Sequence, residues 1–155
     1  MSVAFRRESD EEHLEPRFEL PIPPGPNLVT AHGAALIADR ATALEAAIEA
    51  TTDEEAVKAL RRDLRYWRAR AASARITPST PGDEAGFGSR VRYRRDGVEA
   101  SVDLVGHDEA EPARGRLAFT APLSRALMGA GPGDRVDFAG RAEVIEILAV
   151  GPIPA

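Results

Sequence analysis

Three consecutive carboxylates, Asp53, Glu54 and Glu55, follow a Thr51-Thr52 pair. Such acids suit magnesium, which takes oxygen ligands, keeps several waters and needs only one or two side chains. They suit the start of a helix equally well. Thr52-Asp-Glu-Glu55 has capping-box spacing, in which the Thr52 hydroxyl bonds the third amide and Glu55 returns to the Thr52 amide. Acids also complement the positive end of the helix dipole. For Asp53 and Glu54 the two roles are compatible.

A basic strip follows. Residues 58–75 carry Lys58, Arg61, Arg62, Arg65, Arg68, Arg70 and Arg75 against one acid, Asp63. Arg61, Arg65 and Arg68 step by four and three, so they share one helix face. That face could meet RNA phosphates or an acidic wall, or be neutralised by acids of a neighbouring helix. The net charge of −5 argues against an indiscriminate nucleic-acid binder, and residues 8–19 are mostly acidic.

Other chemistries find little support. Without cysteine there is no thiolate metal site or disulfide framework. His13, His32 and His107 are too scattered for a histidine-built metal site. No apolar run is long enough to cross a bilayer, and the first twenty residues lack the apolar stretch of a secretion signal. A soluble cytoplasmic protein with no membrane partner is expected.

The periodicity shows which elements position these groups. Thr30 can cap a helix over residues 30–50, where Ile37, Ala41, Leu44 and Ile48 form one stripe. Val57, Leu60, Leu64, Trp67, Ala71 and Ala74 form a second stripe over residues 53–75, with Trp67 as a packing knob. Two single-stripe helices with a very short link fold back on each other, giving a projecting antiparallel coiled-coil hairpin of roughly 30 Å. After a Pro- and Gly-containing stretch the period becomes two. Strands are predicted at 89–95, 98–105, 116–120, 135–138 and 143–150, with an Asp96-Gly97 hairpin turn and a short helix opened by Pro122. The fold class is α+β: an N-terminal helical hairpin plus a C-terminal antiparallel sheet with one short helix. The expected divisions are an extended acidic and proline-rich tail at 1–27, the hairpin at 28–77, a linker at 78–86 and the sheet domain at 87–155.

Several of these segments, in order and spacing, resemble the Gre (GreA/GreB) family of transcription elongation factors. They are Gly86-Phe-Gly-Ser89, the acidic turn Val105-Gly-His-Asp-Glu-Ala-Glu-Pro112, the stretch Gly115-Arg-Leu-Ala-Phe-Thr-Ala-Pro-Leu-Ser-Arg-Ala-Leu-Met-Gly129, and Gly133-Asp134. Thr30-Ala-His-Gly33 is similar to the family's first helical turn.

The resemblance implies an FKBP-like domain that docks at the rim of the RNA polymerase secondary channel. It implies a helical hairpin that enters the channel and presents its tip carboxylates to the polymerase's active-site magnesium. Carried over by position, docking would fall on Thr120, Ala121, Pro122 and Leu123 with Asp108 and Glu109. Asp53, Glu54 and Glu55 would face the metal, and Arg61, Arg65 and Arg68 would face nascent RNA or the channel wall. RNA polymerase is the implied partner, with no cofactor, stably bound metal, small-molecule substrate or catalytic site of the chain's own. The sequence departs from the family at the tip, where Glu49-Ala-Thr-Thr-Asp-Glu-Glu-Ala56 replaces an Asp-Leu-Ser-Glu-Asn-Ala-Glu-Tyr signature and the link is tighter. Channel binding with weak or absent cleavage stimulation is therefore expected, as in Rnk-like regulators that would compete with Gre factors. A rival reading, prolyl isomerisation, rests on the FKBP-like fold alone. It would need a pocket lined by aromatics, for which the domain offers Phe87, Tyr93, Phe119 and Phe138.

Overall fold

The computed structural model describes residues 19–155, so the part of the expected tail before Glu19 lies outside the described residues. These residues fall into two compact units. One joins Ile37–Ser73 to the described residues up to Gly25, and the other comprises Pro26–Leu36 and Ala74–Ala155.

The first unit is built on a helical pair, of which the opening residues, 31–36, belong to the second unit. α1 spans Ala31–Ala50 and α2 spans Glu54–Ser73, each of 20 residues. The chain runs antiparallel, because residues on either side of the link meet. The Arg40 guanidinium lies 5.7 Å from the Trp67 ring centroid, and Arg68 reaches Glu45 at 3.3 Å. The predicted stripe of α1 is the less exposed face, with Ile37 fully buried and Ala41, Leu44 and Ile48 half-buried. On α2, Leu64 is buried, Val57, Leu60 and Trp67 are half-buried, and Ala71 is exposed. Arg70, expected in the surface strip, is only 2% exposed.

The second unit contains a five-stranded sheet. β3 is Ser89–Arg95, β4 Val98–Val105, β5 Arg116–Ala118, β6 Arg135–Phe138 and β7 Arg141–Pro152, in the order β5-β4-β3-β7-β6. The Asp96-Gly97 turn has φ of 52° and 78°, the pair of positive values that a tight two-residue hairpin demands. Ala139-Gly140, at 52° and 76°, makes the β6–β7 turn in the same way. That turn is hard to see in sequence, because alanine is an unusual residue at positive φ. Val91 and Tyr93 of β3, Val102 and Leu104 of β4, and Ile145 and Ile147 of β7 point to one face. A short helix α3, Pro122–Leu127, covers them through Leu127. The opposite face carries Arg90 on Asp103 at 2.7 Å and Arg94 on Glu146 at 2.9 Å.

Three features depart from the sequence reading. The sheet is not wholly antiparallel, since β5 pairs parallel with β4 through Asp103↔Arg116, Leu104↔Leu117 and Val105↔Ala118. A parallel return needs a long connection, and residues 106–115 supply it. Two short strands, β1 at Leu28–Val29 and β2 at Arg75–Ile76, also pair in parallel on either side of the helices. Finally, the expected linker is tied to the sheet domain. Ala85 is buried, its N–H donates to Ala130 O, and its carbonyl accepts from Gly129 N, both at 2.8 Å.

Candidate functional site

At the link between α1 and α2 the chain uses a different cap from the expected one. Asp53, not Thr52, is the capping residue: the Ala56 N–H donates to Asp53 Oδ2 at 2.9 Å and the Val57 N–H to its carbonyl at 3.0 Å. The helix starts one residue later than a Thr52 box requires, so Glu55 cannot close that box. Glu55 instead faces Lys58 at 3.7 Å, with both side chains exposed. The Thr51 hydroxyl donates to Ala47 O at 2.6 Å and closes the end of α1. Glu54 is exposed and has no side-chain partner among the described residues. No group of three or more His, Cys, Asp or Glu able to hold a metal occurs among the described residues. A metal at this tip would need its remaining ligands from elsewhere.

The basic face of α2 is partly neutralised. Arg65 makes a bidentate pair with Glu19, its Nε at 3.2 Å from one oxygen and its Nη2 at 2.5 Å from the other. The Arg65 hydrogen bond holds the Glu19 carboxyl below its usual range, and Arg62 adds to the effect. Arg68 is shared with Glu45 of α1. Arg61 makes no ion pair among the described residues. A groove lined by Glu45, Ile48, Glu49, Arg61, Leu64, Arg65 and Arg68 follows the meeting line of the two helices.

In the second unit the structure joins the two segments expected to dock. The loop after β4 and the turn before α3 meet where His107 Nε2 and Thr120 Oγ1 lie 3.1 Å apart. Beneath them the Phe119 ring stands edge-on to Phe87, with centroids 5.5 Å apart and planes at 87°. The Ser124 hydroxyl donates to Ala118 O at 2.7 Å, and the Arg125 N–H to Ala121 O at 2.9 Å, fixing the turn. Thr120 and Pro122 are exposed and Ala121 is half-buried. Leu123 is half-buried and packs against the core, so it supports the turn from below.

Glu109 differs most from expectation. It is 9% exposed and turned inward, where it accepts a hydrogen bond from the Thr30 hydroxyl at 2.6 Å and lies 3.1 Å from His32 Nδ1. Thr30 also caps α1, accepting from the Gly33 N–H at 2.9 Å. A Cβ at Gly33 would come within 2.8 Å of Glu109 Oε1, so a side chain there would displace the carboxylate. Gly106 is more constrained still: a Cβ would come within 2.3 Å of the Leu28 carbonyl oxygen. Sequence reasoning put Thr30 and Glu109 in separate roles. The paired glycines, one beside each, were the only local signal of a close approach. The aromatics that a prolyl pocket would need are engaged in packing contacts. Phe87 and Tyr93 are buried, Phe119 packs on Phe87, and Phe138 lies under Arg95 at 5.1 Å.

Sequence comparison identifies the class of domain that this fold and surface form. Residues 80–152 match the family model described as transcription elongation factor, GreA/GreB, C-terminal. This C-terminal domain is thus similar to the C-terminal domain of the Gre family. It is 38% identical over 85 residues to transcription elongation factor GreA of Acidiphilium cryptum, covering 52% of this chain and 54% of the relative. It is 42% identical over 72 residues to GreB of Neisseria meningitidis serogroup A, covering 44% of each. The chain thus spans about half the length of the curated relatives it matches. Among solved structures, Gfh1 of Thermus thermophilus is 16% identical with a TM-score of 0.38, covering 82% of this chain and 99% of that one. A GreA/GreB factor from Nitrosomonas europaea is 21% identical with a TM-score of 0.39, covering 82% and 98%. Scores this low carry no weight for the arrangement of the whole chain.

Proposed function

We propose that this chain is a transcription elongation factor that binds RNA polymerase at its secondary channel, in the cytoplasm, as an accessory factor with no catalytic centre of its own. The observation that carries the reading is the surface joined at His107 and Thr120, within the domain that matches the GreA/GreB model. It brings the acidic loop and the Pro122 turn together on a rigid base of Phe87, Phe119 and Ser124. Thr120 and Pro122 supply the exposed contacts, and the helical pair carries Asp53, Glu54 and Glu55 at its link.

One observation favours the non-cleaving form of this function. Asp53 commits its Oδ2 to the cap of α2, so it could offer a metal only its other oxygen, while Glu54 has no side-chain partner among the described residues. Magnesium gains little from a carboxylate that does not come within direct or water-bridged reach. The chain would then occupy the channel and compete with cleavage-competent Gre factors.

Purified protein added to a backtracked elongation complex with labelled RNA tests both statements. The expected result is polymerase binding, little transcript shortening, and slower cleavage by an added Gre factor. Strong shortening that disappears with Asp53→Ala plus Glu54→Ala would overturn the non-cleaving form. Absence of polymerase binding would overturn the function itself.

A further inference from the structure

The basic face of α2 already holds one acid of the N-terminal segment, Glu19, on Arg65. From there a concavity of about 510 Å³ extends along Glu55, Lys58, Ala59, Arg61, Arg62 and Arg65, all on α2. Its lining has four cations and one acid. Arg61 has no ion pair among the described residues, Lys58 has only the exposed Glu55, at 3.7 Å, and Arg62 has its sequence neighbour Asp63, at 3.3 Å.

Two anchors set the direction of the chain that leads here. The Asn27 carbonyl accepts from the Arg75 N–H at 2.9 Å, just past the end of α2. By Glu19 the chain has reached Arg65, well back along the helix. Followed toward its N-terminus, it therefore runs up α2 toward the link. The residues still to come are acidic: Glu8, Asp10, Glu11, Glu12 and Glu15, against Arg17 alone over residues 8–18. An extended chain covers at most ~3.3–3.6 Å per residue, so Glu15 can lie roughly 13 Å beyond Glu19. Lys58 is only roughly 10 Å along the helix from Arg65 at ~1.5 Å per residue.

We propose that the acidic segment 8–18 continues along this face and occupies Lys58, Arg61 and Arg62, as an intramolecular polyanion that competes with RNA for α2. Only the choice of RNA as competitor rests on the function proposed above. A tethered segment acts at an effective concentration of about millimolar, so a weak intrinsic attraction suffices. Exposed ion pairs are screened by salt, so the occupancy falls as ionic strength rises.

The chain has no cysteine and one tryptophan, Trp67 on α2 itself. An acceptor dye on Ser9→Cys therefore reports the distance from the segment to the helix by energy transfer from Trp67. Transfer is expected at low salt and should be lost when Glu8, Asp10, Glu11, Glu12 and Glu15 become Gln or Asn in the full chain. The same neutralised chain, unlabelled, is expected to bind a single-stranded RNA 20-mer about tenfold more tightly at low salt. Equal transfer in the two labelled chains overturns the proposal, as does unchanged RNA affinity. An affinity gain that persists when Arg61→Gln and Arg62→Gln are added reflects net charge alone and overturns the competition. Polymerase binding by the same variants bears on the function above and not on the transfer, so the two readings fail separately.

Discussion

The Thr30 hydroxyl donates to the Glu109 carboxylate at 2.6 Å, joining the residue that caps α1 to the loop after β4 across 79 positions of sequence. Thr30 thereby serves two partners, accepting from the Gly33 N–H while giving its own proton to Glu109. A hydrogen bond to a buried charged group is worth about 1.5–3 kcal/mol, and leaving such a group short of partners costs about as much. Thr30→Ala should therefore cost roughly 2–3 kcal/mol, including about 1 kcal/mol for the cap. Denaturant unfolding of Thr30→Ala, Glu109→Ala and the double variant should show a coupling of at least about 1 kcal/mol. Simple additivity would mean that the bond contributes nothing.

Leu123 and Pro122 should respond in opposite ways. Leu123 packs on the core, so Leu123→Asp places a charge against apolar neighbours and should destabilise the domain by about 3 kcal/mol. Thr120 and Pro122 are exposed. Thr120→Arg with Pro122→Ala should keep the melting temperature within a few degrees while weakening polymerase binding at least tenfold. Full polymerase affinity in this well-folded double variant would remove the turn from the docking surface.

At the tip, Asp53→Asn and Asp53→Ala separate capping from charge. Asparagine still accepts from the Ala56 N–H, so Asp53→Asn should cost only a few tenths of a kcal/mol, whereas Asp53→Ala should cost about 1 kcal/mol. Helix content and unfolding midpoints give the comparison. If the two variants are equally stable, the cap is not what holds Asp53.

The β3–β4 turn makes a pH prediction. The Arg141 guanidinium hydrogen-bonds Asp96 at 2.7 and 3.1 Å and holds its carboxyl below the ordinary aspartate range, with Arg95 adding to the field. A depressed folded-state pKa stabilises above the unfolded value of about 3.9, and that contribution is lost as pH falls through the lower folded value. The pair is exposed, so the effect belongs to local titration more than to global stability. In an NMR titration Asp96 should titrate below the ordinary aspartate range in the wild type and move upward in Arg141→Ala. An unmoved midpoint would show that the pair does not persist in solution.

Trp67 is half-buried, with Tyr66 edge-on at 5.1 Å and Arg40 over its ring. Trp67→Ala should destabilise the helical pair by about 2 kcal/mol, below the ~3–5 kcal/mol of a fully buried aromatic. Its emission should lie between those of buried and free indole. An unchanged unfolding midpoint would remove Trp67 from the packing of the pair.

The features that could be read in advance are local ones. A stripe at steps of three and four, a residue able to cap, an aspartate-glycine pair and a run of alternating residues each constrain the backbone within a few positions. α1, α2, β3, β4 and α3 fall close to where those signals put them. What the sequence left open depends on partners far along the chain. Glu109 looks like any acid in an exposed turn until Thr30 and His32 arrive beside it. Arg65 looks free for RNA until Glu19 claims it across 46 positions. The parallel β4–β5 pairing and the Ala139-Gly140 turn likewise have no strong local marker, because register and strained φ values are imposed by the sheet as a whole. Periodicity shows which side of an element is apolar. Only the packed chain determines which polar groups meet, since each such contact must offset the cost of removing two solvated groups from water.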